Sequence, residues 1–160
     1  MRIISLAAVV AFIFIDQLIK YYVDLYLKPS SSIIIIKNVL QLNYLENDGA
    51  MMGFMGGKTL TMTVLAVICL VVMLAVIFTG LIKDRIDYWC CILMISGGLG
   101  NIIDRIFRGY VIDYIEVLFI DFYIFNFADC LITVSAFVLI FYQIYLIAKE
   151  NKTKKAGEGH

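Results

Sequence analysis

The stretch at 59–82, TLTMTVLAVICLVVMLAVIFTGLI, decides the fold. It carries no charge and no proline. The hydrocarbon core of a bilayer takes about 20 mostly apolar residues per helix, and this run supplies them without interruption. The rest of the 160-residue chain agrees: 62% of residues are hydrophobic, 16% are charged, and the mean hydropathy is +0.94. Soluble domains hold about 45–50% apolar and about 25% charged residues. One proline and ten tyrosines fit long helices with aromatic rings at the membrane surfaces. Formal net charge is zero, so no nucleic-acid partner is expected.

Working outward, three more segments qualify as spans. They are 3–22, interrupted by Asp16 and Lys20; 88–103; and 125–148, where Asp129 is the one charge. The start of the chain resembles a signal peptide, with Arg2 before an uncharged run. However, no small-x-small site precedes a polar start, and the continuation DQLIKYYVDLYL fits a retained helix. Basic residues set the orientation. Arg2, the Lys83/Arg85 link, and Lys149, Lys152, Lys154 and Lys155 fall on one side of a four-span chain. Both termini are therefore expected in the cytoplasm. The opposite side carries two longer connections, 23–58 and 105–124. In the first, β-branched residues at 33–36 and the alternation of Leu40, Leu42 and Tyr44 with Gln41 and Asn43 predict a small sheet within about 30–46, turning at Lys37-Asn38. The expectation is an all-α membrane protein: four transmembrane helices and a small extracytoplasmic β-sheet cradle. A single domain spans 1–150, followed by a disordered cytoplasmic tail at 151–160.

Polar residues interrupt this apolar plan in a pattern. Asp16 and Lys20 are four apart, Asn101, Asp104 and Arg105 fall at i, i+3 and i+4, and Asn126 and Asp129 are three apart. Each set shares a helix face and lies toward the outer end of its helix, where Asn47 and Asp113 also fall. Ionisable groups at bilayer depth are costly and face the bundle interior or a wet cavity. Each set also has a purely structural reading. Asp16 and Lys20 can be an ion pair that fixes the first helix. Asp104 can pair with Arg108. Asn126 can cap a helix, with Asp129 closing a capping box. Gly97, Gly98 and Gly100 can let helices approach closely. Asp113, among Val111, Ile112, Tyr114 and Ile115, has the weakest structural reading.

Cys69, Cys90, Cys91 and Cys130 all lie in apolar runs, no CxxC is present, and the one histidine is His160. No metal site and no cofactor are expected. Two carboxylates sharing a site cannot both ionise easily, so one keeps a proton. One then acts as base on a water and the other as acid. Spacing does not choose the pair among Asp16, Asp104, Asp113 and Asp129. A small transporter or proton-relay protein is the alternative reading of such carboxylates. Against it stand the gathering of the polar sets on one membrane side and a second helix with no polar partner.

Five segments in order resemble the motifs of the lipoprotein signal peptidases (signal peptidase II). They are DQLIK at 16–20 (D-x-x-x-K), NDGAMMGF at 47–54 (N-x-G-A-x-x-G), GGLGNIIDR at 97–105 (G-x-x-G-N-x-x-D-R), VIDYI at 111–115 (V-x-D-F-I) and FNFAD at 125–129 (F-N-x-A-D). Tyr114, Met51 and Met52 depart from the usual pattern; the methionines bear on the fit of substrate or inhibitor. The resemblance implies an aspartic endopeptidase with Asp113 and Asp129 as the catalytic dyad. It implies that Asn47, Gly49, Asn101, Arg105 and Asn126 bind substrate or orient the aspartates, and that Asp16, Lys20 and Asp104 support them. The implied substrate is a diacylglyceryl-modified prolipoprotein, cut just before its lipidated cysteine. The implied surroundings are membrane lipid, the implied inhibitor is a globomycin-type cyclic depsipeptide, and a monomer is expected.

Overall fold

The computed structural model describes residues 2–30, 32–49, 59–120 and 122–157. Four helices are long and apolar enough to cross a membrane: α1 (Arg2–Tyr22), α2 (Thr59–Phe78), α3 (Arg85–Phe107) and α4 (Phe127–Gly157). A turn of π-helix, Val23–Leu27, extends α1. Strands β1 (Ile33–Ile36), β2 (Leu40–Asn47) and β3 (Val111–Val117) form one antiparallel sheet in the order β1-β2-β3.

α3 is the central helix and packs against α1, α2 and α4. Its buried residues include Ser96, Gly97, Gly100, Asn101 and Asp104. Asp84 starts it, the side chain accepting the Ile86 N–H at 2.7 Å. This cap moves the start to Arg85, ahead of the expected 88. At the other end Gly109, at φ +84°, turns the chain into β3. α2 has no buried residue and is apolar all round, as a helix facing lipid on most sides should be. It ends at Phe78 rather than 82, because Gly80 adopts φ +71° and breaks the run.

Two expectations need correction. The segment 105–124 is not merely a connection: 111–117 is the third strand. Its first four residues are buried, so both faces are covered and no polar–apolar alternation marks it. Nor is 151–157 disordered, because α4 continues to Gly157. Glu150 and Lys154, one turn apart, pair at 2.7 Å and extend the helix past the apolar run. Residues 158–160 lie outside the described residues. The hairpin turn falls at Lys37-Asn38 as expected, with Asn38 at φ +59°. Val23, Leu27, Ile112 and Tyr114 form a small buried core that seats the sheet on the end of α1.

Candidate active site

β3 carries Asp113 beneath the sheet, 1% exposed. On β2, Leu45 pairs with Asp113 and Asn47 with Val111, which makes Asn47 and Asp113 diagonal neighbours on one face. The Asn47 amide donates to Asp113 Oδ2 at 2.7 Å. The Gly49 N–H donates to Asn47 Oδ1 at 3.1 Å, which turns the amide nitrogen toward the carboxylate. From the segment before α4, Asn126 Nδ2 donates to Asp113 Oδ1 at 2.6 Å. Burial of this carboxyl, with the nearby Asp129 charge second, pushes its pKa up to about 6 against the pull of the two amide hydrogen bonds.

Asp129 sits in the first turn of α4. Its backbone N–H donates to Asn126 Oδ1 at 3.0 Å, and its Oδ2 accepts the Asn126 N–H at 3.2 Å. This is the reciprocal cap the spacing suggested. Capping and site-building are not alternatives here, because Asp129 Oδ1 also accepts the Asn101 amide at 2.7 Å. Asn126 Nδ2 reaches Asn101 Oδ1 at 3.2 Å. Two amides thus link Asp113 to Asp129.

Behind them lies an ionic network. Lys20, fully buried, places its ammonium 2.9 Å from Asp16 and 2.7 Å from Asp104, and donates to Asn101 Oδ1 at 3.0 Å. The ammonium thus has one hydrogen bond and two ion pairs to offset its burial, and Asp104 Oδ2 is held by its ion pair with Lys20 alone. The bond to Asn101 Oδ1 leaves the Asn101 amide nitrogen for Asp129. Asp16 also accepts the Ala128 N–H at 3.1 Å, tying α1 to the start of α4. Asp104 contacts Arg108 as well, at 3.5 Å. Two glycines of α3 permit these approaches. A Cβ on Gly100 would sit 2.6 Å from Asp16 Oδ2, and one on Gly97 would strike the Ala128 carbonyl. Gly98 meets nothing within 4 Å, so close packing accounts for two of the three glycines.

Asn47, Gly49, Arg105, Asp113 and Asp129 line a cavity of about 600 Å³ beside an apolar wall that includes Phe122, Tyr123 and Ile132. Arg105, half-buried, makes no hydrogen bond or ion pair among the described residues. All the polar residues singled out in the sequence gather at this end of the bundle. Met51 and Met52 lie outside the described residues. Sequence reading missed two participants. Gln17 Nε2 reaches Asp16 Oδ2, the Gly100 carbonyl and Asp104 Oδ1 at 3.1–3.2 Å. The Tyr114 hydroxyl accepts the Phe127 N–H at 3.2 Å. The position of Gln17, between Asp16 and the Lys20 turn, was the available signal for the first.

A family model described as "Signal peptidase (SPase) II" matches residues 8–145. The chain belongs to the signal peptidase II family. Among relatives named lipoprotein signal peptidase, that of Lactococcus lactis is 38% identical over 154 residues, 94% of this chain and 99% of its own length. That of Caldanaerobacter subterraneus is 36% identical over 138 residues, covering 86% and 94%. A solved structure described as a bacterial membrane enzyme superposes with a TM-score of 0.80 at 27% identity, covering 88% of this chain and 87% of that one. A second gives 0.77 at 28%, covering 87% and 91%. As a signal peptidase II the chain is a multi-pass membrane protein and an aspartic-type protease.

Proposed function

We propose that the chain removes the signal peptide from diacylglyceryl-modified prolipoproteins, cutting just before the lipidated cysteine, with Asp113 and Asp129 as the catalytic pair. The observation that carries the reading is the two-amide link through Asn126 and Asn101, which ties both carboxyl groups to one cavity. The raised pKa of Asp113, set first by burial and then by the nearby Asp129 charge, supports Asp113 as a carboxyl able to hold its proton.

In the reaction, the ionised carboxylate takes a proton from a water held between the two groups. The hydroxide attacks the scissile carbonyl carbon, and the protonated carboxyl gives its proton to the carbonyl oxygen. In collapse of the tetrahedral intermediate the C–N bond breaks, the carboxyl that took the water's proton gives it to the departing cysteine nitrogen, and a hydroxyl proton of the intermediate returns to the other carboxylate. Arg105, with five N–H donors and no partner among the described residues, holds substrate backbone carbonyls. Asn47, Gly49, Asn101 and Asn126 orient the carboxyl groups, and Asp16, Lys20 and Asp104 keep Asn101 in place. The basic residues at 2, 83, 85 and 149–155 support a topology with both termini in the cytoplasm and the cavity near the outer face. There the acyl chains of the substrate hold the cleavage point. The protein works as a monomer and is blocked by globomycin-type depsipeptides.

Purified protein given a diacylglyceryl-modified prolipoprotein should release the signal peptide, while Asp113→Asn and Asp129→Asn should each abolish release and still fold. Near-normal turnover in either variant sinks the pair. Arg105→Ala should raise KM more than it lowers kcat; unchanged kinetics would remove its binding role.

A further inference from the structure

A second hollow lies between α3 and α4, away from the carboxyl pair. It has a volume of about 290 Å³ and is lined by Arg85, Trp89, Leu93, Val134, Ser135 and Val138, among others. Positions 85, 89 and 93 are four apart, so they stack along one face of α3 over about 12 Å. The hollow therefore runs from the helix end into the span. Its one hydroxyl is turned away: Ser135 Oγ donates to the Leu131 and Ile132 carbonyls at 2.5 and 3.1 Å. What remains is an apolar trough, with the apolar stem of Arg85 lining its end nearest the start of α3. Apolar cavities of about 150 Å³ stay free of water and take apolar guests. In a bilayer the neighbouring guest is an acyl chain.

The charges at the mouth select the headgroup. Asp84 and Asp87 flank Arg85, yet both face inward to α4. Tyr142 Oη donates to Asp84 Oδ2 at 2.7 Å, and Gln143 Nε2 donates to both oxygens of Asp87 at 2.8 Å. Asp84 Oδ1 is held by the Ile86 N–H. Arg85 is left exposed, with no hydrogen bond or ion pair among the described residues. We propose that this trough binds one anionic phospholipid of the adjoining leaflet, with an acyl chain against Trp89, Leu93 and Val138 and the headgroup phosphate on Arg85.

The chain has a single tryptophan, and it lines this trough. Trp89 fluorescence therefore reports occupancy directly. The protein is reconstituted in bilayers containing brominated phosphatidylglycerol or, at the same mole fraction, brominated phosphatidylcholine. Quenching should favour phosphatidylglycerol by about fivefold in relative affinity. Arg85→Gln should remove that preference while leaving peptidase turnover unchanged, and Val138→Phe, which fills the trough, should weaken quenching by both lipids. Lys152→Gln, on the helical extension of α4 beyond the trough, should keep the preference. Equal quenching by the two lipids, or a preference lost as fully in Lys152→Gln as in Arg85→Gln, overturns the proposal; the second result would mean a diffuse surface attraction. A preference that survives Arg85→Gln overturns it too.

Discussion

Asp113 keeps a carboxyl group where water reaches it poorly, and that has a consequence for stability. Its pKa is raised from 3.8 to about 6. The native chain therefore holds this proton more tightly than the unfolded chain does. The stabilisation is fully present below pH 3.8 and is lost as pH rises through 6. Thermal midpoints of the wild type and Asp113→Asn, compared in detergent from pH 4 to pH 7, should diverge in favour of the variant by roughly 2 kcal/mol. Parallel curves would mean that the carboxyl is not held at a cost. Lys20 is the opposite case. Lys20→Met leaves Asp16 and Asp104 buried without their cation, and should cost on the order of 3–5 kcal/mol, read as a fallen midpoint or failed accumulation. These residues were legible because charges in an apolar run stand out at helical spacing. Gln17 and the Tyr114 hydroxyl were not, since an amide or a phenol there reads as ordinary interfacial polarity.

Among the elements, α3 shows how finely a helix face divides. Gly97 and Gly100 face neighbours, while Gly98 faces open space. Gly97→Ala and Gly100→Ala should lower the thermal midpoint and the turnover together, because each forces α3 from α4 or α1. Gly98→Ala should be neutral or stabilising by up to about 1 kcal/mol, the usual helix preference for alanine. Equal effects at all three positions would refute this division. Sequence named the glycine cluster but could not phase it, because the neighbours that decide it come from 16 and 128. β3 was hidden for a related reason: covered on both faces, VIDYIEV offers no alternation to read. The four spans were plain from length and apolarity alone. The reach of α4 to Gly157 was not, since lysine-rich sequence reads as solvated chain until the Glu150–Lys154 spacing is weighed.

At the scale of the molecule, most large apolar side chains outside α3 face outward, α2 most completely. The bundle is therefore organised against lipid, and its buried charged residues among those described, Asp16, Lys20, Asp104 and Asp113, gather at one end. Val71→Lys, at an outward position of α2, should impair insertion by about 2.5–3.5 kcal/mol, seen as loss of membrane-integrated protein. Sidedness can be read on intact cells. An impermeant thiol reagent should label Glu116→Cys from outside and Lys83→Cys only after permeabilisation, and the reverse pattern would invert the proposed orientation.

The ties made by Asp16 and Lys20 also bear on the order of assembly during synthesis. Lys20 finds its acceptor on Asn101 81 residues further along the chain, and Asp16 finds the Ala128 N–H 112 residues on. When the first helix leaves the ribosome, neither segment has been made. The first counter-charge either group meets is the other, one turn away at 2.9 Å. The nascent helix can therefore enter lipid with its two embedded charges already paired, and these are handed to later partners only as the third and fourth helices arrive.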